Sequence, residues 1–164
     1  MKTKRFLAAI LAVMMLVSTF AFSASASNQD GNFHIHMSSP GVVASSSYAA
    51  RVKEDSTSSY INYNTIVGGN AASGPYQFEA QIWGAYAPEG PYKDCSSYTK
   101  SGLPRTKAII TRGTVGLMRQ DVYEWFGDNS VAQIYGAMIS ESGIANGCWS
   151  ADSVGSYNYY NRLA

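Results

Sequence analysis

The chain has 164 residues, of which 46% are hydrophobic, and its 12 Lys and Arg nearly balance its 11 Asp and Glu. This length suits one domain with a real hydrophobic core. The near-neutral charge, with no basic cluster, argues against nucleic acids and anionic membranes as partners.

The first 26 residues have the pattern of a secretory signal peptide. Three cations among residues 2–5 precede an uncharged apolar stretch at residues 6–17, which is too short for a membrane span. Small residues at Ala24 and Ala26 predict cleavage after Ala26, although an uncleaved anchor is the alternative. We therefore expect a secreted, extracellular protein whose mature chain, residues 27–164, is one domain without a membrane span. Cleavage leaves nine basic and eleven acidic residues, a net charge of −2.

Tyrosine and small polar residues dominate the predicted mature chain. All 12 Tyr lie after residue 26, among many Ser, Asn and Gly. This mixture favours exposed strands and turns over helix bundles. It is also typical of binding surfaces, although β propensity alone accounts for much of the enrichment.

Alternating apolar and polar residues predict three strands, at residues 33–37, 60–67 and 76–86. The inward faces are predicted to carry Phe33, Ile35 and Met37 in the first strand, Ile61, Tyr63, Thr65 and Val67 in the second, and Tyr76, Phe78, Ala80, Ile82 and Tyr86 in the third. The other face of the third strand carries Gln77, Glu79, Gln81 and Trp83.

Pro and Gly at residues 87–104 predict a long loop. A strand is predicted at residues 106–111, with residues 114–118 as its partner across Arg112-Gly113. Residues 117–139 fit either a strand or a helix, because their apolar side chains include Val131, Ile134, Tyr135 and Met138 at helical spacing, and we favour the strand.

The remainder is predicted to form a turn at residues 140–147, a closing element that begins at Cys148, and a tail at residues 150–164 that frays. Short strands joined by connections rich in Gly, Ser and Pro predict an all-β fold. We expect a single antiparallel β-sandwich-like domain after an N-terminal signal helix.

The chain has two cysteines, Cys95 and Cys148. In an exported chain the simplest expectation is one disulfide between them, which would close a loop of about 54 residues. The alternative, a catalytic thiol, needs a His partner, and neither cysteine lies in a known nucleophile motif.

His34 and His36 lie two residues apart on the first predicted strand, so both rings leave the same face. Such a pair could serve as metal ligands if a third ligand comes from elsewhere. Their apolar neighbours explain the spacing equally well, as the solvent-facing positions of an amphipathic strand. We expect no metal and no cofactor, and keep the His pair as the alternative.

The string Ser140-Glu141-Ser142-Gly143 resembles the Glu-Ser-Gly of lysozyme-type lytic transglycosylases, in which the Glu protonates a glycosidic oxygen. The resemblance implies Glu141 as a general acid. A wall-active enzyme of this kind would use Asp152 or Asp128 as the partner of Glu141. The Gly-Leu-Met at residues 116–118 also resembles that family, but here it precedes the Glu, and only 23 residues follow Glu141. A polar turn between two strands is the interpretation that we favour.

Trp83 and Tyr86 are the candidate binding residues. Trp83 falls on the polar face of the predicted strand at residues 76–86, where an exposed ring could stack against a sugar. The alternative places Trp83, Trp125 and Trp149 in the core or over the disulfide.

Four stretches carry a wider resemblance: RVKEDSTSSYI at residues 51–61, VYE at 122–124, SG at 142–143 and GCWSADSVG at 147–155. They resemble a group of small exported proteins of Gram-positive bacteria that have no assigned function. In that group Pro usually stands where this chain has Ala151, and Cys148 is a second departure. The resemblance implies export and one β-rich domain, and it assigns no catalytic residue.

These features favour a secreted, non-catalytic domain that binds a cell-surface polymer or a surface protein. A cell-wall-active glycoside-cleaving enzyme that uses Glu141, or a secreted antimicrobial or signalling polypeptide, are the alternatives. The sequence leaves the oligomeric state open.

Overall fold

The computed structural model describes residues 31–63 and 74–164. The predicted signal peptide and its cleavage point after Ala26 lie outside the described residues, as do Thr65 and Val67. No helix in the described ranges has the length and apolar character that a membrane crossing requires. Ten strands and one short helix occur there: β1 Gly31–Met37, β2 Val43–Ser45, β3 Arg51–Lys53, β4 Ser59–Asn62, β5 Gln77–Ala85, β6 Lys93–Asp94, β7 Ala108–Thr111, β8 Val115–Met118, α1 Val122–Phe126, β9 Ser130–Met138 and β10 Gly143–Ser150.

The strands form two antiparallel sheets. Sheet A has the order β1-β10-β4-β8. In sheet B the long strands β5 and β9 pair along their lengths, β2 and β3 pair with the free side of β9, and β6 and β7 pair with the free side of β5. This confirms the prediction of an all-β fold with antiparallel sheets.

The core between the sheets is built from the predicted inward faces. Phe33, Ile35 and Met37 of β1 are buried, and so are the alternate apolar residues of β5. The Phe33 ring lies 6.0 Å from the Phe78 ring, measured between centroids, and this contact joins the two sheets. Each such side chain stabilises the fold by about 1.5–3 kcal/mol when it leaves water. Tyr76 and Tyr86 are predicted to face inward but are exposed, because they lie just before and just after the paired residues of β5.

Tyr63 and Gly147 complete this core. The Tyr63 ring meets the Phe78 ring edge-on at 5.1 Å, and its hydroxyl donates a hydrogen bond to the Pro75 carbonyl at 2.7 Å. Burial raises the pKa of Tyr63 to about 12. A side chain at Gly147 would meet the Phe33 ring at 2.5 Å, so this position of β10 admits only glycine without a rearrangement.

The predicted pairing of residues 106–111 with residues 114–118 is wrong. β7 pairs with β5 in sheet B, whereas β8 pairs with β4 in sheet A. The connection at Arg112-Gly113 therefore passes from one sheet to the other. Its backbone is held by Tyr63, which receives a hydrogen bond from Gly113 N and donates one to the Thr114 carbonyl.

The ambiguous stretch at residues 117–139 divides into three elements. It contains the end of β8, the five-residue helix α1 and all of β9. The strand that we favour for this stretch is correct for residues 130–138, which form β9; there Ile134 is buried and Tyr135 points to the other face. Pairing of β9 with strands on both sides outweighs its helical spacing, because tertiary context overrides local propensity. The predicted turn at residues 140–147 is too long, because β10 begins at Gly143.

The structure does not support the predicted disulfide, because both cysteines are free thiols. Cys95 follows β6 and is buried in the core. Cys148 alternates with the buried residues Gly147 and Trp149 on β10, so its side chain leaves the opposite face of sheet A. Its sulfur lies 3.5 Å from the Asn32 side-chain oxygen. Sheet A therefore lies between the Cys148 side chain and Cys95, which is in the core.

The C-terminal tail, for which the sequence predicts fraying, packs beside β8. Leu117 N donates to the Asn158 carbonyl at 2.9 Å, and Tyr160 N donates to the Leu117 carbonyl at 2.8 Å. Asn161 is buried, and its side-chain amide donates to the Arg119 carbonyl at 3.0 Å and accepts from Arg119 N at 2.7 Å.

Candidate functional site

The outer face of sheet B, which points away from the core, is polar and aromatic. It is formed mainly by alternate residues of β5 and β9, because successive side chains of a strand leave opposite faces. Register brings Gln81 of β5 opposite Tyr135 of β9, and Trp83 opposite Gln133. The side chains of this face are half-buried and comprise Gln77, Glu79, Gln81, Trp83, Gln133 and Tyr135.

An aromatic cluster of Trp83, Tyr92 and Tyr135 lies at one end of this face. The rings of Trp83 and Tyr135 stack with centroids 4.6 Å apart and an angle of 22° between their planes. The Tyr92 ring lies 6.4 Å from the Tyr135 ring. The Trp83 indole donates a hydrogen bond to the Gln81 side-chain oxygen at 2.8 Å, which fixes the indole on the sheet. Burial raises the pKa of Tyr92 and of Tyr135, so both stay neutral donors at physiological pH.

The structure places the two predicted binding residues differently. Trp83 belongs to the aromatic cluster, which agrees with its predicted position on the polar face. Tyr86 lies beyond the end of β5, is 73% exposed, and meets the Phe126 ring edge-on at 4.8 Å. The sequence did not single out Tyr92 and Tyr135. Tyr135 could be recognised only once β9 was known to be a strand paired with β5.

Glu141 lies on the exposed turn between β9 and β10, where its carboxylate accepts a hydrogen bond from Tyr76 N at 3.0 Å. Asp152 follows the far end of β10, and Asp128 precedes the far end of β9. Strands of eight and nine residues separate these ends by roughly 25–30 Å. Paired carboxylates of glycosidases lie about 5–9.5 Å apart. Neither proposed partner can therefore act with Glu141 on one glycosidic bond.

Asp152 instead belongs to a buried ion pair with Lys53. The Lys53 side chain is fully buried, and its ammonium donates to the Asp152 carboxylate and to the Thr57 carbonyl, the latter at 2.6 Å. The second Asp152 oxygen accepts from Glu54 N at 3.0 Å. Burial raises the pKa of Asp152, and the hydrogen bond from Lys53 opposes that rise. These contacts attach the end of β10 to the loop after β3.

His34 and His36 both point away from the core, as predicted. His34 Nδ1 lies 2.6 Å from the Asn146 side-chain oxygen, and His36 is exposed. Within residues 31–63 and 74–164, no three His, Cys, Asp or Glu residues lie close enough together to hold a metal ion.

A cavity of about 470 Å³ lies between the start of β1 and β3. Its lining combines small residues with the polar side chains of Asn32, Tyr48, Arg51 and Ser150. Asp152 also lines it, but this carboxylate is already bound by Lys53. The aromatic cluster on sheet B, in contrast, presents two stacked rings beside the side chain of Gln81.

Comparisons of this chain with protein-family models, with curated proteins and with solved structures gave no match. The fold and the site together define a two-sheet antiparallel β domain with an aromatic cluster and amide side chains on one sheet face.

Proposed function

We propose that the protein is an exported, non-catalytic domain that binds a cell-surface polysaccharide through the outer face of sheet B. The observation that carries this proposal is the aromatic cluster of Trp83, Tyr92 and Tyr135 beside the amide of Gln81. A sugar ring offers apolar C–H faces, which pack against aromatic rings, and hydroxyls, which both donate to and accept from amides.

The polarity of this face favours a polysaccharide over a protein partner. The centre of a protein–protein interface is depleted in charged residues. Here Glu79 lies on the outer face, two residues from Gln81 along β5, and forms an ion pair of 2.7 Å with Lys107. Gln77 donates to the Thr111 hydroxyl at 3.0 Å. Charged and amide side chains of this kind bind water at the surface of the sheet, and the hydroxyl groups of a sugar can take the place of that water.

Export rests on residues 1–26 and on the resemblance to small exported proteins of Gram-positive bacteria. The net charge of −2 after cleavage leaves little electrostatic attraction to anionic polymers, so binding by ring stacking and hydrogen bonds fits the composition. The separation of Glu141 from Asp152 and Asp128 supports a role in binding without bond cleavage.

The test begins with expression of the full chain in an exporting host. N-terminal sequencing of the protein in the medium should begin at Ser27. This protein is then incubated with purified cell walls, and retention and release of soluble sugar are measured together. We expect retention without release.

Trp83→Ala and Tyr135→Ala should each weaken retention about tenfold, since loss of one aromatic contact costs roughly 0.5–1.5 kcal/mol beyond lost burial. Tyr76→Ala is the matched control, because Tyr76 is 56% exposed and lies outside the aromatic cluster. Circular dichroism establishes that all variants are folded. Retention that is unchanged in both cluster variants would refute the outer face as the binding surface, and release of sugar would refute a non-catalytic role.

A further inference from the structure

A small polar pocket lies away from the aromatic cluster, where α1, the loop before β7 and the C-terminal tail meet. Its volume is about 220 Å³. It shares no residue with the outer face of sheet B. Its lining includes Ser58, Arg105, Arg119, Asp121, Glu124 and Tyr159.

Arg105 and Asp121 form the rigid part of this pocket. The Arg105 side chain is only 6% exposed, and its guanidinium pairs with Asp121 and donates to the Tyr98 carbonyl at 2.9 Å. The second Asp121 oxygen accepts from Lys100 N at 2.6 Å. Both side chains are therefore fixed before any ligand arrives.

Two buried atoms in the pocket wall lack a hydrogen-bond partner among the described residues. They are Arg105 Nε, which is a donor, and Glu124 Oε2, which is an acceptor. Buried polar groups are almost always paired, and unpaired ones need an explanation. Arg105 is more than nine-tenths buried, and both residues line the pocket, so a ligand group bound there is a candidate partner for the two atoms.

We propose that this pocket binds one sugar unit through its hydroxyl groups. A hydroxyl accepts from Arg105 Nε and donates to Glu124 Oε2, so one kind of group satisfies both atoms. A carboxylate would suit Arg105 but would be repelled by Glu124 and Asp121. An ammonium group would suit Glu124 but has nothing to accept the Arg105 proton.

The remaining features of the pocket fit the same ligand. The Arg119 guanidinium lies 4.3 Å from the centre of the Tyr159 ring, so it presents a planar set of donors at the pocket mouth. Ser58 adds a hydroxyl. A volume of about 220 Å³ is below the range for drug-sized ligands and suits a single ring. The inference rests on the proposed function, because the sugar unit would belong to the polysaccharide that binds the outer face of sheet B.

The exported protein, labelled with ¹⁵N, is titrated with glucose and with N-acetylglucosamine while amide chemical shifts are recorded. A ligand of this size should bind with a Kd in roughly the millimolar range. We expect shifts that cluster at Arg105, Arg119 and Glu124. Glycine and acetate serve as the zwitterionic and anionic probes, and neither should give this response.

Glu124→Gln should weaken sugar binding at least fivefold, because a charged acceptor forms the stronger hydrogen bond. Arg119→Gln, which changes an exposed side chain, should do the same if the first variant folds poorly. Glu89→Gln is the matched control on an exposed loop outside the pocket. None of the three should abolish retention on cell walls, whereas Trp83→Ala should weaken retention about tenfold and leave the sugar-induced shifts in place.

The proposal is overturned if neither sugar shifts the pocket amides, if the shifts occur only elsewhere, or if glycine or acetate binds in preference. Retention on cell walls is measured separately. Absence of sugar binding in the pocket can therefore be distinguished from absence of wall binding by the outer face of sheet B.

Discussion

Replacement of Lys53 by Met tests whether the buried ion pair with Asp152 holds the fold together. Met keeps most of the length of the apolar stem and removes only the ammonium group. The wild-type ammonium is fully buried and serves the Asp152 carboxylate and the Thr57 carbonyl. In Lys53→Met, Asp152 keeps one backbone donor, Glu54 N, and Thr57 keeps a hydrogen bond from Gln120.

The expected cost follows from this burial. The Asp152 side chain is only 6% exposed, so water cannot replace the lost cation. Removal of one member of a buried ion pair costs about 3–5 kcal/mol, because it leaves an uncompensated charge. The whole domain is expected to be stable by about 5–15 kcal/mol. Lys53→Met should therefore remove a large part of the free energy of unfolding.

The cost should also depend on pH. Without Lys53, the pKa of folded Asp152 rises further above its ordinary value of 3.8, because burial is no longer opposed by the ammonium. A carboxyl with a raised folded pKa favours the folded state when it is protonated, and this advantage is lost as pH rises through that pKa. The destabilisation relative to wild type should thus be greatest at neutral pH and should shrink as pH falls towards 4.

Urea unfolding followed by circular dichroism measures these differences at several pH values. Lys107→Met is the control, because Lys107 also pairs with a carboxylate but is 73% exposed. The double variant Lys53→Met with Asp152→Leu should recover much of the loss, because it removes both charges. If Lys53→Met costs no more than Lys107→Met, or if its cost grows as pH falls, the reasoning is refuted.

Three further predictions follow from the structure. Burial raises the pKa of Cys95 to about 12, so a thiol reagent should label Cys148 quickly and Cys95 only after unfolding, whereas labelling of neither thiol without a reductant would indicate a disulfide. Gly147→Ala should lower the free energy of unfolding by about 1–3 kcal/mol in a urea titration, because the new methyl group would overlap the Phe33 ring. An unchanged midpoint would show that the core rearranges around the methyl group at little cost. Burial raises the pKa of Asp55, but hydrogen bonds from Thr57, together with a hydrogen bond to Asp152 and the charge of Lys53, outweigh this and lower the net pKa below 3.8. Stability from this group is present above that pH and is lost below it, so Asp55→Asn should flatten the acid side of the stability profile. An unchanged profile would contradict the assignment.

Strand location followed from local sequence where one face of a strand meets the core. In β1 and β5 the alternation of apolar and polar residues is unbroken, so Phe33, Phe78 and Ile82 were placed correctly. Strand pairing could not be obtained in this way. The short connection at Arg112-Gly113 has the form of a hairpin turn, but each flanking strand pairs with a strand from an earlier part of the chain, in a different sheet.

The candidate site was predictable only in part, for the same reason. Trp83 was placed on the outer face by alternation alone. Its stacking partner Tyr135 depends on the register of β5 against β9, to which no local pattern points. The polar pocket is still less accessible from the sequence, since Ser58, Arg105 and Tyr159 come from well-separated parts of the chain.

The pairing of β1 with β10 constrains when the domain can fold. Gly31 lies opposite Trp149, and Met37 lies opposite Gly143, so the first described strand finds its neighbour near the end of the chain. Until β10 leaves the ribosome, the apolar side chains of β1 have no sheet to join. Sheet A therefore forms only after β10 has been synthesised, and contacts between such distant segments make folding slow.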